Sequence, residues 1–259
     1  MNKLAEFNFK LESPIVCTAI HNGHDVSLEV FNNLAVPKDI RLMEEDPYTE
    51  RFTEMSSNTI IGKTSRFEVD LNRSVEKCIY LESKDAWGIT TRKTEPSELV
   101  ISKSIKEYHE FYSSAKVYFK QLEEKFGRFF VYDIHSYNHH RKGSNAEFDD
   151  PKLNPEIIIG TNNMPDKWSP LVDKIKNKLT KYDYFGRHLD SRINVKFPGG
   201  HFSRWIHTNF PDSACCIAIE FKKIWMDEWT GNIYEDKLNK LIEALNSTQV
   251  LIESNLIKY

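Results

Sequence analysis

Two periodicities run through the hydrophobic positions of the chain. Short apolar or β-branched runs bounded by polar turns predict strands at 14–20 (PIVCTAI), 65–71 (SRFEVDL), 129–134 (FFVYDI), 157–159 (III) and 215–221 (CCIAIEF). In the second of these, Phe67, Val69 and Leu71 alternate with polar residues. The others are nearly continuous apolar runs, as expected of strands covered on both faces. Between them the spacing changes to three and four. Over 102–126, Ile105, Tyr108, Phe111, Tyr112, Ala115, Tyr118, Phe119 and Leu122 fall on one helical face, and Gly127 stops the helix. Helices are read in the same way at 170–179 and 234–251. Strands alternating with helices predict an α/β fold, a three-layer sandwich with a mixed, largely parallel central sheet flanked by helices. The polar stretch 136–155 reads as a long loop, and loops of that length in a compact domain are often functional.

Composition narrows the class. A chain of 259 residues suits a single domain over 1–259, large enough to bury a core without disulfides. With a net charge of −3 and basic residues spread among acids, nucleic acid is not an expected partner. No run approaches the ~18 apolar residues of a membrane span, and MNKLAEFNFKLESP lacks the apolar run of a secretory signal. Four cysteines without CxxC spacing read as reduced and buried, with the adjacent Cys215 and Cys216 pointing to opposite faces of a strand. A cytoplasmic location is expected on these grounds.

Candidate chemistry collects at strand ends. His21 follows the first predicted strand, His135 follows the third, and Glu220 lies near the end of the last. The carboxyl edge of an open α/β sheet is where ligands bind. Imidazole is a common zinc ligand whose second nitrogen takes a carboxylate or carbonyl partner, and Asp133 or Ser136 is placed to supply one. Taken alone, each histidine is equally well read as a hydrogen-bonded structural residue. An anionic ligand can come from Glu44, Glu45 or Asp46 in MEEDPYTERF, with His24 and Asp25 as local alternatives, although that acidic run also fits a solvated turn. SRFEVDLNR offers Arg66, Asp70, Asn72 and Arg73; an arginine fork binds a carboxylate, and a second arginine stabilises an oxyanion. Glu220, in an apolar run, is costly to bury unless paired or functional, and burial moves its pKa towards that of a general base. In FPGGHFSRW, Gly199 and Gly200 permit close backbone approach, or simply form a hinge.

In order along the chain, the His21-Asn-Gly turn, EEDPYT, SRFEVDLNR, Tyr108-His109, DIHS, the run to Thr161, FPGGHFSRW and the strand ending in Glu220 resemble the N-formylglutamate amidohydrolases. The resemblance extends over about residues 14–221. It implies a zinc carboxypeptidase-like fold, also similar to aspartoacylase, and one zinc ion held by His21, Asp46 and His135. It further implies that Arg66 polarises the scissile carbonyl and that Asn72 with Arg73 grips a substrate carboxylate. Glu220 then takes a proton from a zinc-activated water and delivers it to the departing amine. The implied reaction cleaves the amide of a small N-acyl amino acid, N-formyl-L-glutamate giving formate and glutamate. The carboxypeptidase pattern has a glutamate three residues after its first histidine; here that residue is His24, so the carboxylate ligand comes from elsewhere. Two other readings share this scaffold: a zinc carboxypeptidase or peptidoglycan-peptide amidase, and a binding protein without metal.

Overall fold

The computed structural model describes residues 2–256. Its strands are β1 (Ala5–Phe9), β2 (Ile15–Ala19), β3 (Asn58–Gly62), β4 (Phe129–Tyr137), β5 (Ile157–Gly160), the short pair β6 (Asp183–Tyr184) and β7 (Arg187–His188), β8 (Ser191–Ile193) and β9 (Ala214–Lys222). The helices are α1 (Leu28–Asn33), α2 (Lys38–Glu44), α3 (Glu98–Phe126), α4 (Ser169–Thr180), α5 (His201–Asn209), α6 (Glu235–Asn246) and α7 (Gln249–Leu256). Among the described residues, seven strands form one sheet in the order β1-β3-β2-β4-β9-β5-β8, and β6 and β7 form a separate ribbon. The pairings β2–β3, β2–β4, β4–β9 and β5–β8 are parallel, and β1–β3 and β5–β9 are antiparallel. The sheet is therefore mixed and mostly parallel, as the alternation of elements predicts.

Two cores make the sandwich three-layered. On one face Ile15, Phe130, Ile134, Cys215 and Ile217 pack with residues of α4, α6 and α7. On the other, Val16, Phe129, Val131 and Cys216 pack with α3 and α5. Cys215 and Cys216 thus enter opposite cores, and all four cysteines are free and buried. The α3 stripe is buried as its spacing requires. Ser97 caps the amino end by accepting from the Val100 amide, and Gly127, at φ 72°, ends the helix. Phe111, Phe119 and Leu122 are fully buried, each stabilising the fold by roughly 1.5–3 kcal/mol, so packing holds this helix more than intrinsic propensity does. No helix among the described residues is long and apolar enough to cross a membrane.

Three expected elements differ. Residues 65–71 are not a strand but a chain of turns, with the Glu68 and Val69 amides both bonded to the Ser65 carbonyl. Phe67, Val69 and Leu71 are buried as expected, yet Glu68 between them is buried too, because its carboxylate accepts the Ser27 amide. The sheet takes Asn58–Gly62 in place of this segment. The helix read at 234–251 is two helices broken at Ser247–Thr248, where Thr248 turns in to bond the Tyr132 hydroxyl. The loop expected from residue 136 starts slightly later, since β4 continues to Tyr137.

Candidate active site

Side chains alternate along a strand, so one face of β2, β4 and β9 carries a continuous row. At the amino ends it is apolar: Val16, Phe129, Val131 and Cys216. Towards the carboxyl ends it turns polar: Thr18, Asp133, His135 and Glu220. Thr18 is the register partner of Asp133, and His135 of Glu220. Parallel pairing in this register puts the imidazole and the glutamate side by side.

His21 leaves the end of β2 in a turn closed by the Asn22 amide on the Ala19 carbonyl. The Asp46 amide donates to the His21 carbonyl at 3.1 Å, which ties the segment after α2 to that turn. The Asp46 Oδ2 atom then lies 3.5 Å from His21 Nδ1 and 3.1 Å from His135 Nδ1. One ligand atom from each of the three buried residues falls within 4.8 Å of the other two. The far nitrogens are also held by carboxylates: His21 Nε2 lies 2.7 Å from Asp70 Oδ1, and His135 Nε2 lies 3.1 Å from Asp133 Oδ1. Two imidazoles and one carboxylate, each ring oriented by an acid behind it, form a donor set suited to zinc with a position left for water. Burial works against ionisation of Asp46, but hydrogen bonds from His135 and His21 prevail and hold its carboxyl below the usual range. Burial likewise disfavours the imidazolium of His135, and Asp133 and Asp46 outweigh it, raising the pKa.

The alternative anionic ligands point elsewhere. Glu45 accepts from His24 Nδ1 at 2.6 Å and from the Ser65 hydroxyl. His24 and Asp25 are exposed. Glu44 takes both arms of the Arg141 guanidinium. Ser136 donates to Asp46 Oδ1 at 3.3 Å, while Asp133 stands behind His135.

Around the cluster lies a cavity of about 230 Å³ whose walls include Arg66, Asn72, Arg73, Trp87, Glu220 and Lys223. The turns at 65–73 explain how Arg66 and Asp70 meet. Four residues of extended strand span roughly 13 Å, whereas here Arg66 Nη2 donates to Asp70 Oδ2 at 3.1 Å. Arg66 also donates to the Tyr80 hydroxyl and the Glu44 carbonyl, and its guanidinium lies 4.9 Å from the Trp87 ring centre. Asp70 collects His21, Arg66, the Tyr80 hydroxyl and the Asn72 amide, and its carboxyl is held low: burial opposes this and Arg66 and His21 overcome it. Asn72 is pinned at its oxygen by the Phe202 amide, with its nitrogen 3.3 Å from His135 Nε2. Arg73 is the more open arginine, with 44% of its side chain exposed and Asp70 3.8 Å away. Tyr108 and Tyr112 of α3 donate to the carbonyls of Arg73 and Leu71, so this helix also fixes the wall of the cavity.

Burial raises the Glu220 pKa to about 8; His135 pulls it down and Asp46 pushes it up. The structure thus brings His21, Asp46, His135, Arg66, Asn72, Arg73 and Glu220 to one cavity. Three contributors were not legible as such in the sequence: Asp70 as the partner of His21, Trp87 beside Arg66, and Lys223 beneath Asp46. The lysine has one sequence signal, a basic pair directly after an apolar strand.

A mostly parallel sheet between helices, with a buried His/Asp/His cluster and a glutamate at its carboxyl edge, makes this an α/β protein with a candidate metal site where the strands end. Residues 13–225 match the family model of N-formylglutamate amidohydrolase, and the chain belongs to that family. Its fold is similar to that of N-formylglutamate amidohydrolase from Ralstonia eutropha JMP134, with a TM-score of 0.75 and 13% identity over 98% of each chain. It is also similar to a gene product of Agrobacterium tumefaciens, with a TM-score of 0.63 and 18% identity over 97% of this chain and 96% of that one. No curated protein sequence matches the chain.

Proposed function

We propose that this protein hydrolyses the amide bond of a small N-acyl amino acid, N-formyl-L-glutamate first among them, with one divalent cation, zinc, held by His21, Asp46 and His135. The observation that carries the reading is the convergence of these three buried side chains within 4.8 Å, each imidazole oriented by a carboxylate behind it. Family membership supports the substrate. A cavity of about 230 Å³ is below the ~300–1,000 Å³ of drug-sized pockets, which favours a small substrate over a peptide.

Zinc bound there supplies the Lewis acidity that makes water a nucleophile at neutral pH. The chain's own groups do the rest. Glu220, beside His135, takes the proton of the attacking water and passes it to the leaving nitrogen. A pKa of about 8 leaves it mostly protonated in the metal-free site, and positive charge at the three ligands draws it towards the ionised form a base requires. Arg66 is fixed by Asp70, Tyr80 and the Glu44 carbonyl and meets the negative charge that develops on the carbonyl oxygen. Arg73, with its exposed guanidinium, grips the substrate carboxylate beside Asn72.

The test is metal content of the purified chain, with formate release from N-formyl-L-glutamate measured before and after chelation. About one zinc per chain and chelator-sensitive release are expected. Metal without formate release would move the reading to another N-acyl amino acid; neither metal nor release, even with added zinc, would sink it.

A further inference from the structure

Lys223 follows β9, three residues beyond Glu220, and is 1% exposed. A buried ammonium is costly unless its donors are used, and among the described residues Lys223 forms no ion pair with a carboxylate. Its Nζ instead donates to two backbone carbonyls, Met43 at 2.7 Å and Glu45 at 2.8 Å. These flank the carboxyl end of α2, where helical carbonyls are left without partners and carry partial negative charge. Asn138 Nδ2 adds a second donor to the Met43 carbonyl at 2.8 Å, and Arg66 Nη1 reaches the Glu44 carbonyl between them at 3.3 Å. Three consecutive carbonyls are thus clamped, and the next residue is Asp46. The Lys223 amide continues the ladder from β9 to the Tyr137 carbonyl of β4, so the lysine is fixed to the two strands that carry Glu220 and His135.

We infer that Lys223 is a positioning residue for the metal centre: by clamping the Met43 and Glu45 carbonyls it holds Asp46 in register with His135 and Glu220. The inference rests on the zinc site proposed above. Asp46 lies between α2 and a 3₁₀ helix at Thr49–Met55, with no strand to fix it, and a charged clamp from the neighbouring sheet supplies that rigidity. Supporting groups behind metal ligands typically account for 10–100-fold in metal affinity.

The experiment is a zinc titration of the full chain against a competing chelator dye, for the wild type, K223M and K223Q, with melting temperatures recorded with and without zinc. K223M is expected to weaken zinc binding about 10–100-fold. K223Q, whose amide keeps two N–H donors but not the charge or the full reach of lysine, should fall between it and the wild type. A purely structural lysine would lower the metal-free and zinc-loaded melting temperatures equally; the positioning role requires the zinc-induced rise itself to shrink. Wild-type affinity in K223M would overturn the inference while leaving the zinc site standing, whereas a wild type that binds no zinc overturns both. If K223M does not fold, K223Q and N138A decide, and unchanged affinity in both overturns the inference.

Discussion

Glu220 sits in opposed fields. Burial and Asp46 favour its protonated form, while His135 and Arg66 favour the carboxylate. Its place opposite His135 in the β4–β9 ladder sets it beside a residue of the ligand cluster. Glu220→Gln keeps the shape and removes the ability to accept a proton. Zinc content should be unchanged and kcat should fall by about 10²–10⁴, the range general acid–base groups supply. Steady-state kinetics and metal analysis on the same preparation check this, and a rate near wild type would place the base elsewhere. Asp70 shows how much one residue does that its spacing does not announce. As a turn residue it orients His21, fixes Arg66 and receives the Tyr80 hydroxyl at once.

At the scale of elements, the cavity depends on where α5 begins. Gly199 adopts φ 113°, a conformation open mainly to glycine. Gly200 lies so close to Asn72 that an added Cβ would sit 2.1 Å from its Oδ1 atom. That oxygen caps α5 by accepting the Phe202 amide, and Phe202 is buried against α3. Gly200→Ala must therefore displace either Asn72, and with it the neighbour of His135, or the start of α5. A loss of about 1–3 kcal/mol in urea denaturation is expected, the usual cost of overpacking, with a fall in kcat/KM. Unchanged stability and rate would mean that Asn72 moves aside freely. The turns at 65–73 act in the same way: their hydrogen bonds bring Arg66 and Asp70 together, and α3 holds them through Tyr108 and Tyr112.

For the whole molecule, α5 also introduces a sensitivity to acid. His207 is buried, and its Nε2 atom accepts the Cys216 amide at 3.0 Å, which requires the neutral ring. Burial lowers its pKa to about 4, against ~6.5 in the unfolded chain. Between those values the unfolded chain binds a proton that the folded one does not, so stability falls as pH drops through this window. Above pH ~6.5 the group contributes no pH dependence, and at pH 4 and below the loss reaches about 3 kcal/mol. Urea melts of chelator-treated protein at pH 7.5 and pH 4.5 measure this. His207→Gln keeps an acceptor that does not titrate, and should lose that share of the acid effect. An unaltered pH dependence in the variant would assign it to other groups.

Local hydrophobic pattern determined most of the frame. The continuous apolar runs at 14–20, 129–134, 157–159 and 215–221 are dictated by burial of both strand faces, and the stripe of α3 by burial on a 3.6-residue repeat, neither of which needs knowledge of neighbours. The resemblance carried by SRFEVDLNR, DIHS and FPGGHFSRW points to the family and implies His21, Asp46 and His135 as the ligand set. The alternation at 65–71 misled because its apolar residues are buried from turns as well as they would be from a strand, and pattern alone does not separate the two. Only tertiary structure decided that Asp46, and not Glu45 or Asp25, faces the histidines. That choice depends on the Asp46 amide reaching the His21 carbonyl, 25 residues away, and on Lys223 gripping the Met43 and Glu45 carbonyls, 180 and 178 residues away. No local pattern encodes such pairings, because they exist only once the sheet has brought distant strand ends to one edge.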